Sequence, residues 1–285
     1  MRRQTGPITG PHCEIIGFDW PDIILHENTQ AQTPATVAAL ACDDDLDPVA
    51  FVRNRLDLHP DPPQIEVLQC TARQGILNCS RQWGKSTITA AKAVHRAFTQ
   101  PDSEILVAAY CQRQTAEFLR KASRMVAKLG IRPRGDGDNP VSLLFPNGSR
   151  IVGLPGNEGT VRGFSAVSLL LIDEASWVDD NLYKALQPML ATTNGDLWLL
   201  STPLGKRGFF YEEWQHGGPA WFRISVPATK CPRISAEFLN NQRNVLGPDW
   251  FNQEYMNEFI DNGFSYFSRD LIEGAIDPSL KALDL

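Results

Sequence analysis

The chain has 285 residues, of which 42% are hydrophobic, and its 33 acidic and 27 basic side chains give a formal net charge of −6. This apolar content is sufficient for one large α/β core with a small appendage, or for two modest domains, and it excludes disorder of the whole chain. The sequence contains no run of about 18 apolar residues and no secretory leader, so we expect a soluble intracellular protein without a membrane span.

The negative charge is concentrated at the N-terminus. Residues 1–48 hold eight acidic side chains and two arginines, whereas residues 49–285 are neutral overall. We therefore predict an acidic N-terminal extension over residues 1–48. Binding to nucleic acid would require a local basic face or a ring of subunits, because the bulk charge does not favour it.

Two short helices are predicted before the first strand, over residues 48–55 and, after the proline-rich segment 60–63, through Gln69. Gln64 lies at the start of the second helix. A glutamine amide is able to donate to and accept from an adenine edge at the same time. Gln64 is therefore a candidate adenine-binding residue.

A phosphate-binding loop is predicted at residues 79–87, which read Cys-Ser-Arg-Gln-Trp-Gly-Lys-Ser-Thr. A predicted strand over 75–80 enters the loop and a helix leaves it, so backbone N–H groups and a helix N-terminus favour an anion there. In the usual G-x-x-x-x-G-K-[S/T] pattern the lysine reaches the β- and γ-phosphates and the next hydroxyl ligates Mg²⁺, whereas Cys79 replaces the first glycine here. The predicted nucleotide-binding residues of the loop are Ser80, Arg81, Gln82, Trp83, Gly84, Lys85, Ser86 and Thr87.

Strands and helices alternate after this loop. Apolar residues recur every three or four positions over 88–98 and 118–129, which predicts two amphipathic helices flanking a buried strand at 105–110. Two strand-like segments at 142–145 and 150–154, joined by Pro-Asn-Gly, predict a hairpin. The alternation implies an α/β fold with a mostly parallel central sheet covered by helices on both faces.

An acidic pair, Asp173 and Glu174, stands at the end of the apolar strand predicted over residues 168–172. In phosphate-loop enzymes an Asp in this place holds Mg²⁺ and an adjacent Glu polarises the attacking water. Ligands of open α/β sheets bind at the strand ends. We therefore predict nucleotide hydrolysis, with Ser86 and Asp173 as magnesium ligands and Lys85 and Glu174 as catalytic residues.

A further strand, predicted over residues 195–200, ends in Ser-Thr-Pro. The hydroxyls of Ser201 and Thr202 are candidates for sensing the γ-phosphate beside the loop. Gly205 and Gly208 predict a mobile turn after them.

The C-terminal region changes character. A strand is predicted over residues 221–226, followed by helices over 235–246, over 248–259 and from Ser268. We predict that residues 229–285 form a helical linker or lid subdomain beside an ATPase domain at residues 49–228.

The ordered motifs are Gln64, Arg-Gln-Trp-Gly-Lys-Ser at 81–86, Arg162-Gly163, Leu-Leu-Ile-Asp-Glu-Ala at 170–175 and Leu-Ser-Thr-Pro at 200–203. Together they resemble the ATPase domain of the large terminase subunit of tailed bacteriophages, over about residues 50 to 270. The resemblance implies an additional-strand (ASCE, RecA-like) P-loop NTPase fold with ATP and Mg²⁺ as cofactors.

The same resemblance implies a motor that pumps double-stranded viral DNA into a procapsid in the cytoplasm of the bacterial host. Its implied partners are the portal protein, the small terminase subunit and other copies of the chain in a ring, expected to be a pentamer. It also implies catalytic roles for Arg81 in the loop and for Arg162 as an arginine finger. Arg162 lies eleven residues before Asp173, near the opposite end of that strand from the carboxylates, so we expect it to act on the neighbouring subunit.

Relatives of this kind continue into a ribonuclease-H-like nuclease domain, which needs on the order of 100 residues. The sequence ends at Leu285, so we expect no nuclease activity from it. Two alternatives stay open. One is a helicase-like ATPase on the same fold, and the other is a catalytically idle assembly module that docks to the portal or the small terminase subunit.

Overall fold

Seven strands form one sheet in the part of the chain that the computed structural model describes, which comprises residues 43–154, 156, 163–261 and 274–275. All of these residues belong to Gln32–Leu285, one of the two units into which the chain divides. Most of the predicted N-terminal extension and of the helix predicted from Ser268 lies outside the described residues.

The strands are β1 (Gln74–Cys79), β2 (Glu104–Ala109), β3 (Ser142–Leu144), β4 (Arg150–Gly153), β5 (Val167–Asp173), β6 (Asp196–Ser201) and β7 (Trp221–Val226). Their order across the sheet is β3-β4-β2-β5-β6-β1-β7. Neighbouring strands run parallel, except that β3 and β4 form the predicted antiparallel hairpin at one edge. Strand β6 is inserted between the strand that enters the phosphate loop and the strand that carries the acidic pair, which confirms the additional-strand class.

The α-helices are α1 (Pro48–Asn54), α2 (Pro62–Gln69), α3 (Lys85–Thr99), α4 (Gln112–Lys128), α5 (Asp180–Leu186), α6 (Gly208–His216), α7 (Ala236–Leu246) and α8 (Pro248–Met256). Helices α1 to α4 pack on one face of the sheet, and α5 and α6 pack on the other. No helix among the described residues is both long and apolar enough to cross a membrane.

Strand β5 shows why an uninterrupted apolar run becomes the centre of this sheet. Leu169 and Leu171 point into the core beneath α3 and α4, whereas Leu170 and Ile172 point into the core beneath α5 and α6. All four side chains are fully buried. Alternate residues of a strand face opposite sides, so a strand covered on both faces needs apolar residues at every position.

Helix α6 is an element that the sequence did not predict. The glycine that suggested a turn, Gly208, has φ of 74° and begins the helix. The next two residues, Phe209 and Phe210, are buried, and the ring of Phe209 stacks on Tyr183 with the ring centroids 4.0 Å apart. Burial of these aromatic side chains against α5 stabilises a helix that begins at the second of the two glycines.

A buried lysine on α3 joins this helix to α2. The Lys92 amine donates to the carbonyls of Val67 (3.1 Å), Leu68 (3.4 Å) and Cys70 (3.0 Å), at the end of α2. It also lies 4.6 Å from the ring centroid of Trp198. The last carbonyls of a helix have no partner within it, so this ammonium satisfies the end of α2 from a neighbouring helix.

The two C-terminal helices follow their predicted start signals. The Ser235 side chain caps α7 by accepting from the backbone N–H of Phe238, and Pro248 stands at the first position of α8. Helix α8 ends at Met256, three residues before the predicted end, because Asn257 adopts left-handed geometry with φ of 63°. A short chain reversal of this kind is typical of helix C-termini.

Candidate nucleotide-hydrolysis site

The phosphate loop leaves β1 and turns sharply into α3. Gln82 and Gly84 both have positive φ, of 64° and 101°, and Gly84 is the residue that precedes the first turn of α3. Left-handed geometry is unstrained for glycine and costs energy for Gln82. The turn places the N-terminus of α3, with its partly positive backbone N–H groups, at the carboxyl edge of the sheet, where an anion is favoured.

The loop lysine is held inside the loop. The Lys85 side chain is 6% exposed, and its amine donates to the carbonyls of Cys79 (2.9 Å) and Ser80 (3.3 Å). The Cys79 side chain, which replaces the usual first glycine, is fully buried in the core. Burial raises the pKa of this thiol to about 12, so the side chain is a neutral packing group rather than a nucleophile.

The Ser86 hydroxyl faces the carboxyl group of Asp173, at the end of β5, closely enough to lower the pKa of that group. The two halves of the predicted site therefore meet across the intervening strand β6. Asp173 is 6% exposed, and burial together with the neighbouring Glu174 raises its pKa, while the Ser86 hydroxyl and the Lys85 charge act in the opposite direction. A hydroxyl and a carboxylate are hard oxygen donors of the kind that Mg²⁺ takes beside phosphate oxygens.

Glu174 departs from ordinary strand geometry. Its φ of 51° and ψ of 45° are left-handed, and it precedes a single 3-10 turn over Ala175–Trp177. Such geometry in a residue other than glycine costs energy and concentrates at functional sites. It places Glu174 in the wall of a cavity of about 360 Å³, whose other lining residues are Arg81, Gln82, Lys85, Tyr110, Gln114 and Trp177.

Arg81 is paired with a residue far away in sequence. Its Nε donates to a carboxylate oxygen of Glu254 on α8. The Glu254 side chain is 6% exposed, whereas that of Arg81 is 59% exposed. Arg81 thus contacts α8 and the cavity at the same time.

Gln64 uses its amide within the protein. Its Oε1 accepts from the backbone N–H of Asp61 and its backbone N–H donates to the Asp61 side chain, which forms a capping box at the start of α2. The Gln64 Nε2 donates to the carbonyl of Trp83 at 3.0 Å, and Arg233 donates to the same carbonyl. In this arrangement Gln64 supports the phosphate loop at Trp83, whose side chain is buried.

Ser201 and Thr202, the candidates for sensing the γ-phosphate, contact the segment that follows Glu174. The backbone N–H of Ser176 donates to the hydroxyl of Ser201 at 3.2 Å, and the Ser176 hydroxyl donates to the carbonyl of Thr202 at 2.7 Å. Both Ser201 and Thr202 are buried. The end of β6 is therefore joined to the residues beside the acidic pair, rather than extended into the cavity.

The remaining predicted residues occupy varied positions. Ser80 is fully buried, and its backbone N–H donates to the carbonyl of Val226 on β7 at 3.1 Å. Thr87 lies in the first turn of α3, and its backbone N–H donates to the carbonyl of Gly84 at 3.0 Å. Arg162 lies outside the described residues.

Sequence reasoning missed three contact residues, Ser176, Arg233 and Glu254. Each contacts a predicted site residue from a distant part of the chain, so spacing gives no signal for it. The capping function of Gln64 did have a local signal, because Asp61 stands three residues before it and an Asx-x-x-Gln pattern is typical of a capping box.

The family model described as "Terminase large subunit, T4likevirus-type, N-terminal" matches residues 76–273. The large terminase subunit of Thermus virus P23-45 is 24% identical, over 75% of this chain and 51% of that protein. Among solved structures, the large terminase ATPase domain of Thermus phage P74-26 has a TM-score of 0.67 at 21% identity, covering 75% of this chain and 99% of that one. The large terminase of another thermophilic bacteriophage, solved in complex with ADP, has a TM-score of 0.59 at 12% identity, covering 77% of this chain and 54% of that one.

The matched region contains both halves of the site, the phosphate loop and the acidic pair. The chain spans about half the length of the curated relatives that it matches. Since the family model covers more than half of the chain, the chain belongs to the large terminase subunit family, in its N-terminal region.

Proposed function

We propose that this chain is an ATP-hydrolysing motor subunit that translocates double-stranded viral DNA into a procapsid. The observation that carries the proposal is that the phosphate loop and the acidic pair meet, with Lys85 and Glu174 lining one cavity and Ser86 facing Asp173 beside it. Large terminases with this region, including one described in complex with ADP, share the fold.

ATP and Mg²⁺ fit the residues present. Lys85 and the N-terminus of α3 would hold the β- and γ-phosphates, and Ser86 and Asp173 would hold the metal ion. When bound, Mg²⁺ supplies positive charge that stabilises negative charge on the phosphate oxygens. The buried position of Lys85 suits this task, because an ammonium in low-dielectric surroundings attracts phosphate more strongly than one in water.

Glu174 would accept the proton of the attacking water, since its left-handed backbone directs it to the cavity that also contains Lys85. Ser201 and Thr202 would transmit the nucleotide state, because Ser176 ties them to the segment that follows Glu174. Arg162 would act on the ATP of the next subunit in a homo-oligomeric ring. The other partners we propose are the portal protein and the small terminase subunit, and the compartment is the cytoplasm of the bacterial host.

The test is an ATPase assay of the purified chain with and without linear duplex DNA, combined with a strand-separation assay. Lys85→Ala serves as the control for contaminating ATPases. We expect Mg²⁺-dependent hydrolysis that duplex DNA stimulates, without strand separation. Strand separation would support a helicase-like ATPase instead, and absence of turnover in both conditions would support an assembly module.

A further inference from the structure

The cavity at the phosphate loop has two walls that come from different strands of the sheet. Arg81, Gln82 and Lys85 belong to the loop that follows β1, whereas Glu174 follows β5 and Gln114 follows β2. Strands β2 and β5 are neighbours, and β6 separates β5 from β1. Gln114 therefore lies on the same side of the cavity as Glu174, and the phosphate loop forms the opposite side.

The first turn of α4 brings Gln114 to this wall. Ala109, the last residue of β2, is paired with Asp173 at the end of β5, and α4 begins three residues later at Gln112. The backbone N–H of Gln114 donates to the carbonyl of Cys111 at 3.0 Å, which closes this turn. Gln114 thus enters the site from the strand next to the one that carries the acidic pair.

The side-chain amide of Gln114 has an unused acceptor. Its Oε1 is buried and has no hydrogen-bond partner among the described residues. Such an acceptor is costly, so a donor is expected there when the site is occupied. Phosphate oxygens accept hydrogen bonds and do not supply this donor. The cationic donors that line the cavity, Arg81 and Lys85, belong to the opposite wall, which leaves a water molecule as the donor.

The chemistry of hydrolysis also requires a water on this side. The phosphate loop would hold ATP with the leaving ADP on the loop side, and in-line attack on the γ-phosphorus comes from the side away from the leaving oxygen. A bond forms between the water oxygen and the γ-phosphorus while the bond from that phosphorus to the β–γ bridging oxygen breaks. The electron pair of the broken bond leaves with ADP, and a proton of the water passes to Glu174.

We propose that Gln114 is a catalytic residue that holds the attacking water together with Glu174. The proposal rests on the proposed ATPase function and adds a second polar group to its catalytic base. The Gln114 Oε1 accepts one hydrogen bond from the water and Glu174 accepts the other, so that a lone pair of the water is directed at the γ-phosphorus. This orientation is a contribution that a single carboxylate does not supply.

The kinetic test compares Gln114→Met, which removes the amide at similar side-chain length, with Gln112→Met. Gln112 is exposed in the same helical turn and does not line the cavity, which makes it the matched control. We expect Gln114→Met to lower kcat by about 10²-fold, the effect of a misplaced reactant, with affinity for ATPγS at the parental value. Gln112→Met should match the parent in both.

A second readout does not depend on turnover. ADP–aluminium fluoride mimics the transition state with its in-line water, and ADP–beryllium fluoride mimics bound ATP before attack. An interaction made with the attacking water is stronger in the transition state than in the ground state. Gln114→Met should therefore weaken binding of the aluminium complex and leave binding of the beryllium complex unchanged.

Stability and additivity separate this role from a structural one. Because the Oε1 of Gln114 is buried without a partner among the described residues, its replacement by an apolar side chain should not lower the melting temperature. Gln114→Met combined with Glu174→Gln should lose little more than Glu174→Gln alone, since both residues act on one water.

Four outcomes would overturn the role of Gln114. They are a parental kcat in Gln114→Met, equal weakening of both fluoride complexes, a loss that adds fully to that of Glu174→Gln, and a lowered melting temperature that accounts for the lost activity. A parent that binds both complexes without turnover would refute the proposed function instead, and the ratio of the two affinities would still decide the role of Gln114. A parent that binds neither complex would refute both.

Discussion

Lys92 lies on α3, the helix that begins at the phosphate loop, and contacts the end of α2. Its pKa allows a quantitative test of this contact. The side chain is 7% exposed, and burial lowers its pKa from 10.5 to about 8. Arg96 lowers this pKa further, whereas Cys70 and Asp196 act in the opposite direction. The three carbonyls at the end of α2 accept from the amine.

The sign of the effect on stability follows from proton binding. Between about pH 8 and 10.5 the unfolded chain keeps a proton on Lys92 that the folded chain has released, so the free energy of unfolding rises with pH. At 1.36 kcal/mol per pKa unit, this shift contributes a rise of about 2–3 kcal/mol between about pH 7 and pH 10. Lys92→Met removes the titrating group and with it this rise.

The assay is urea unfolding of the parent, Lys92→Met and the exposed-lysine control Lys184→Met across that pH interval. We expect the difference in unfolding free energy between parent and Lys92→Met to shift by about 2–3 kcal/mol in favour of the parent as the pH rises. Lys184→Met should run parallel to the parent. Parallel curves for the parent and Lys92→Met would show that Lys92 is not desolvated in the folded chain.

Three further variants test the site. Lys85→Ala should lose ATP binding or turnover, because the ammonium within the loop is removed, and normal turnover would contradict the site assignment. Glu174→Gln should bind ATPγS like the parent while hydrolysis falls by about 10²–10⁴, and persistent hydrolysis would assign the base to another carboxylate. Arg162→Ala should bind ATP and hydrolyse it about 10³–10⁵ more slowly, with activity restored on mixing with Lys85→Ala, and failure of the mixture to recover would exclude action on the neighbouring subunit.

The strands were predictable because each is specified by its own residues. Every strand lies within one residue of its predicted bounds. For the inner strands β2, β5 and β6 the reason is burial on both faces, which requires a contiguous apolar run. The phosphate loop and the acidic pair were predictable for a related reason, because strand ends of a parallel sheet meet at one edge. Helix α6 was missed because its stability comes from the stacking of Phe209 on Tyr183, which no local pattern shows.

The contacts that the sequence could not reveal connect the site residues to one another. Glu254 joins α8 to the phosphate loop, and Gln253 joins the same helix to Gly205. Ser176, two residues after Glu174, contacts Ser201 and Thr202 at the end of β6. Helix α8 therefore contacts the candidate site at two places, at Arg81 and at Gly205 beyond the end of β6. Polar bonds thus fix α8 both to the phosphate loop and to the segment that follows β6.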